Sequence, residues 1–177
     1  MIDWDALTET DLELKRWGRQ AQTTLAEAHE LELTELASVG ASRKLGSDAK
    51  AFIRDLPGPE EIRSGRFLLR TARAEKATPT FIAQCLINRV FNRSRYDMAL
   101  SRQAFLDDIL SLLEEADPVS CLAVFRAMRH IGLNEKFVPP AGLIAGKILT
   151  EESQLNSQTR DLVRLEKLVE SCAHHRS

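Results

Sequence analysis

The 177-residue sequence is short of the features that announce most chemistries. Three cysteines, Cys85, Cys121 and Cys172, stand far apart with no Cys-x-x-Cys pair, which excludes a zinc ribbon and a thioredoxin-type dithiol site. They read as buried small hydrophobes in a reducing compartment. Eight glycines are scattered, so no phosphate-cradling Gly-rich loop is available. Neither His-Glu-x-x-His, nor the Glu-x-x-His of carboxylate-bridged metal bundles, nor a Gly-x-Ser-x-Gly elbow occurs. No run of apolar residues is long enough for a membrane span: the longest near the C-terminal half, 137–149, contains two prolines and Lys147. With an acidic rather than basic N-terminus, the expectation is a soluble cytoplasmic protein without a membrane partner. No cofactor is called for.

Strand signals are equally scarce. No segment alternates apolar and polar residues over a strand's length, and no Asn-Gly or Asp-Gly turn joins β-branched runs. Helical signals recur throughout, and the predicted fold is all-α, an irregular multi-helix bundle of about eight helices. Thr10–Glu13 has the form of a capping box for a long first helix reaching about residue 37. Ser47 is the expected cap of a helix over 48–56, and Pro59 with Glu60 and Glu61 opens a third to about residue 75. Thr78-Pro79 opens a fourth, and Ser101 caps a fifth with Phe105, Ile109 and Leu113 on its core face. A sixth, over 118–131, is apolar nearly all round and closes at Gly132; such a helix is surrounded by others. A seventh to about residue 149 and an eighth over 158–174 complete the set. The expected division is a long acidic N-terminal helix, 1–40, and a compact helical bundle, 47–177, the two forming one domain with the first helix packed on the bundle.

Chemistry-bearing side chains are few. His130 falls in the last turn of the sixth helix, where a cation suits the terminal carbonyls, and His29 lies among glutamates on a solvated helix. Cys172, His174 and His175 form too small a set for a metal site. Asp107, Asp108, Glu114 and Glu115 read as the solvated side of the fifth helix. Gly142-Leu143-Ile144-Ala145-Gly146 is expected to let two helices pack closely inside the protein, with a homodimer contact as the other reading.

Charge is what rises above this background. The formal net charge is only −2, yet residues 1–40 sum to −6, 41–103 to +7 and 104–177 to −3. Arg63, Arg66, Arg70 and Arg73 follow helical spacing and share one face, with Ile62, Phe67, Leu69 and Ala72 left to serve the core. A second basic set, Arg89, Arg93, Arg95 and Arg102, is interleaved with Phe91 and Tyr96. Near the N-terminus Ile2, Trp4 and Leu7 either staple the first helix or anchor in a partner's groove. The expected function is a non-enzymatic interaction or regulatory, adaptor-like role. Its expected partner is a protein with an acidic surface, met by Arg63, Arg66, Arg70, Arg73, Arg89, Arg93, Arg95 and Trp4. Contact with nucleic-acid phosphates by the same basic block is the alternative. A third match is the chain's own acidic first helix.

Overall fold

The computed structural model describes residues 2–33, 45–92 and 101–173. Arg93, Arg95, Tyr96, His174, His175 and most of the expected linker between the first two helices lie outside them. Among the described residues the chain is all-α, with seven α-helices and no strand. They are α1 (Trp4–Glu30), α2 (Ser47–Asp55), α3 (Pro59–Ala74), α4 (Pro79–Cys85), α5 (Arg102–Glu114), α6 (Cys121–Asn134) and α7 (Ala141–Cys172).

Several helix starts follow from single side chains. Thr78 accepts from the Phe81 amide at 3.2 Å with Pro79 in the first turn, and Ser101 accepts from the Ala104 amide at 3.3 Å. Both satisfy amides that an isolated helix start leaves orphaned. Before α3, the Gly58 amide donates to Glu61 Oε2 at 2.8 Å.

Several boundaries differ from expectation. α1 begins at Trp4, because Asp3 rather than Thr10 caps it: Asp3 Oδ1 accepts from the Ala6 amide at 2.9 Å. Ile2 and Leu7 then occupy the two positions of a hydrophobic staple across that cap. The helix stops at Glu30, and Glu32 takes a left-handed φ of 56°. α6 is capped by Ser120, which accepts from the Ala123 amide, and it runs through Gly132 to Asn134. The expected seventh and eighth helices are one helix, α7, of 32 residues and roughly 48 Å at 1.5 Å per residue. The polar stretch 150–157 suggested a break. The apolar seam nevertheless continues through Ile148, Leu155 and Leu162, all essentially inaccessible to solvent, so packing overrides weak local propensity. α4 also continues without a break into a π-helical segment, Leu86–Phe91, in which the Asn92 amide reaches the Ile87 carbonyl at 3.1 Å.

The chain divides into two compact units, each built from two separate stretches. The first comprises residues 1–11 and 71–156. Its core is organised around α6, where Cys121 through Met128 are all buried together with Ile131. Phe81, Leu86, Val90, Ile109, Ile144 and Ile148 complete that core, and Ile2, Trp4 and Leu7 pack against it. α6 is thus the central helix that its composition announced. At about 1.5–3 kcal/mol per fully buried large apolar side chain, Phe125, Leu122 and Met128 are among its main contributors. A single bridge between Lys76 and Ser120 ties the connection after α3 to the start of α6, with the Cys121 amide donating to the Glu75 carbonyl at 2.9 Å.

The second unit comprises residues 12–70 and 157–177. Leu14, Trp17 and Ala21 of α1, Ile53 of α2, Ile62 and Leu69 of α3 and Leu162, Leu165 and Val169 of α7 are buried in it. Gly65 lies directly beneath the Trp17 indole: a Cβ placed there would come within 2.8 Å of the ring. Glycine here serves close approach of α1 and α3.

Candidate functional site

The arginines of α3 divide according to their angle around the helix. Taking Ile62 as the buried reference, 100° per residue puts Arg73 and Arg66 within about 40° of it and Arg63 and Arg70 roughly 80–100° away. The ion pairs follow this order. In the second unit, Arg66 pairs with Glu166 of α7, whose side chain is only 12% exposed. Arg63 lies 2.5 Å from Glu60, 3.5 Å from Glu166 and 4.0 Å from Glu170. In the first unit, Arg73 bonds Asn156 and lies 3.7 Å from Glu152, whose Oε2 also accepts from the amide and hydroxyl of Ser120. The basic face is therefore matched in large part by carboxylates of α7.

Arg70 differs. Its guanidinium sits 5.4 Å from the centre of the Phe67 ring, a cation–π distance, and it has no carboxylate partner among the described residues. Phe67 was expected in the core but is 60% exposed. The reason is angular: it stands about 140° from Ile62, on the outer side of α3. Read on a helical wheel, the sequence already held that signal.

Trp4 and Arg89 meet in the first unit. The Arg89 guanidinium lies 5.1 Å from the Trp4 ring and 5.3 Å from the Phe125 ring, and Trp4 also stacks on Phe125 with centroids 6.2 Å apart. Both side chains are half-buried, and both are engaged with the α6 core. Arg102 covers Phe91 in the same manner at 5.1 Å.

The most deeply buried charges were not anticipated. Asp11, inaccessible to solvent, accepts from Arg126 Nε at 2.5 Å, and its other oxygen lies 3.5 Å from Arg129. The acidic first helix thus meets arginines of α6 through Asp11, and Arg89 of the basic block through the Trp4 ring. A sequence signal existed: Asp11 falls in the spacing of Leu7, Leu14 and Ala21, where an apolar residue would be expected.

Among the described residues no group of three His, Cys, Asp or Glu side chains is placed to hold a metal ion. Burial, reinforced by its neighbour Cys121, pushes the Cys85 thiol up to about 12, and burial, followed by Glu75, pushes Cys121 up to about 11. Such thiols are poor nucleophiles. No helix among the described residues is long and apolar enough to cross a membrane.

Compared with known proteins, the chain matches no family model, no curated protein and no solved structure. On α7, Gly142 and Gly146 are exposed, and a Cβ at either would meet nothing within 4 Å. The expectation that this Gly-x-x-x-Gly packs internally is therefore corrected. The neighbouring Ile144, Ala145 and Ile148 carry the buried side of the helix there.

Proposed function

We propose that the protein is a non-enzymatic interaction module, adaptor-like in action, whose outer α3 face receives an acidic surface of a protein partner. The observation that carries this reading is the Phe67–Arg70 pair: a large aromatic ring left 60% exposed beneath a guanidinium that has no carboxylate partner among the described residues. Aromatic and arginine side chains supply a large share of binding energy at interfaces, the ring by burying apolar area and the guanidinium by bidentate pairing with carboxylates. Arg63 and Arg66 flank the pair and add a positive rim whose exchange between α7 and partner carboxylates costs little, because both pairs are partly exposed. Nucleic-acid binding is less favoured, since three of the four α3 arginines already have carboxylate neighbours.

The test is quantitative capture of binding partners by the wild-type protein and by the Phe67→Ser/Arg70→Glu variant, alongside titration with duplex DNA. An acidic protein retained by the wild type, bound directly when purified, and lost in the variant supports the reading. An identical captured set in both overturns it. Salt-steep DNA binding abolished by the same substitutions would replace it with the nucleic-acid alternative.

A further inference from the structure

A second surface, in the second unit, is a furrow between two helices rather than a single helix face. Leu25 and His29 of α1, with Leu33 just beyond its end, form one wall; Arg164, Lys167 and Leu168 of α7 form the other, and the cavity between them measures about 460 Å³. The floor is apolar, from three leucines, whereas every titratable side chain on the rim is a nitrogen base. Among the described residues no carboxylate lines it. Lys167 has no carboxylate partner among the described residues, and Arg164 has only Asp161, at 4.0 Å, while its own side chain is 72% exposed. The glutamates nearest in sequence on α7, Glu166 and Glu170, face the other way, toward Arg63 and Arg66 of α3.

The spacing of the wall residues suggests the shape of an occupant. Residues 164, 167, 168 and 171 of α7 recur every three to four positions, so the wall extends about two helical turns, roughly 10 Å. A furrow of that kind between two helices is suited to a third, amphipathic helix laid along it with apolar anchors at i, i+3 or i+4, and i+7. Complementarity of charge decides the rest: the anchors should be flanked by Asp or Glu, which meet Arg164, Lys167 and His29 at the rim. We infer that this furrow is a docking site for an acidic amphipathic helical segment of a partner protein, separate from the Phe67–Arg70 face.

The probe is a fluorescein-labelled 18-residue peptide with leucines at helical i, i+4, i+7 spacing and glutamates beside them on an alanine background. Its control carries lysine in place of every glutamate. Anisotropy at low salt should show saturable binding of the acidic peptide and none of the basic one. Arg164→Glu with Lys167→Glu, both on exposed positions, should weaken binding about tenfold or more, and Leu25→Asp should weaken it comparably. Far-UV circular dichroism identical to wild type confirms that each variant is folded. Phe67→Ser/Arg70→Glu should leave this affinity unchanged. The inference is overturned if the acidic peptide fails to bind, if the basic peptide binds equally, or if the rim substitutions have no effect. It is also overturned if binding is lost only in the α3 variant, which would place the acidic segment on the face proposed above.

Discussion

Asp11 of α1 and Arg126 of α6 form an ion pair in which the carboxylate is inaccessible and the guanidinium nearly so. Arg126 Nη2 is buried without a hydrogen-bond partner among the described residues, so the pair carries its desolvation cost only partly offset. Removing Asp11 alone leaves Arg126 as a lone charge in a low-dielectric setting, whereas removing both leaves only Arg129, whose side chain is 32% exposed and can be hydrated. Asp11→Ala is expected to cost about 3–5 kcal/mol, and Asp11→Leu with Arg126→Met to recover most or all of it. Urea denaturation of the three proteins checks this; equal losses in the single and double variants would contradict it.

Gly65 and Gly146 make opposite predictions for the same substitution. Gly65→Ala drives a methyl into the Trp17 ring at 2.8 Å and should destabilise by about 1–3 kcal/mol. Gly146→Ala adds a methyl in open space within α7 and should stabilise by about 0.5–1 kcal/mol through helix propensity alone. Thermal melts of the two variants should move in opposite directions.

Glu166 holds Arg63 and Arg66 together from α7. Glu166→Gln removes that charge, releasing Arg66 and leaving Arg63 with Glu60 and Glu170. The expected stability loss is small, about 0.2–1 kcal/mol per partly exposed pair. Affinity for any polyanion should rise, with a steeper dependence on salt. Heparin-column retention of wild type and variant measures it directly.

The cysteines give a pH prediction. Cys85 and Cys121 stay protonated in the folded protein to about 12 and 11, against 9.0 for a free thiol. Between about pH 9 and those values the unfolded chain releases protons that the folded one retains. These two groups therefore leave stability untouched below pH 8 and lower it as pH rises beyond 9. Labelling by a disulfide reagent at pH 8 should likewise be slow in native protein and fast in urea; rapid native labelling would contradict the buried, protonated thiols.

Much of the fold was readable because short signals act locally. Thr78-Pro79 and Ser101 open helices where their hydroxyls predict, and the strongly apolar stretch 119–131 became the central helix. Other features depend on partners distant in sequence. The continuity of α7 across 150–157 rests on burial of Leu155, and the place of Asp11 rests on Arg126, 115 positions away. The candidate surface was legible in part. Arginine spacing on α3 identified the face, but which arginine lacked a carboxylate depended on where Glu166 and Glu152 came to lie. The furrow of α1 and α7 joins residues from the first and last fifths of the chain, and no local pattern could have revealed it.

The interleaved make-up of the two units bears on how the chain is synthesised. The first unit needs residues up to 156 and the second needs the stretch beginning at 157, so neither is complete until most of the chain has emerged from the ribosome. At about 5–20 residues per second, the acidic start of α1 waits several seconds for the α6 arginines that neutralise Asp11. During that interval Trp4, Leu14 and Trp17 are without their final neighbours, and the carboxylates around them keep the nascent segment hydrated until those neighbours arrive.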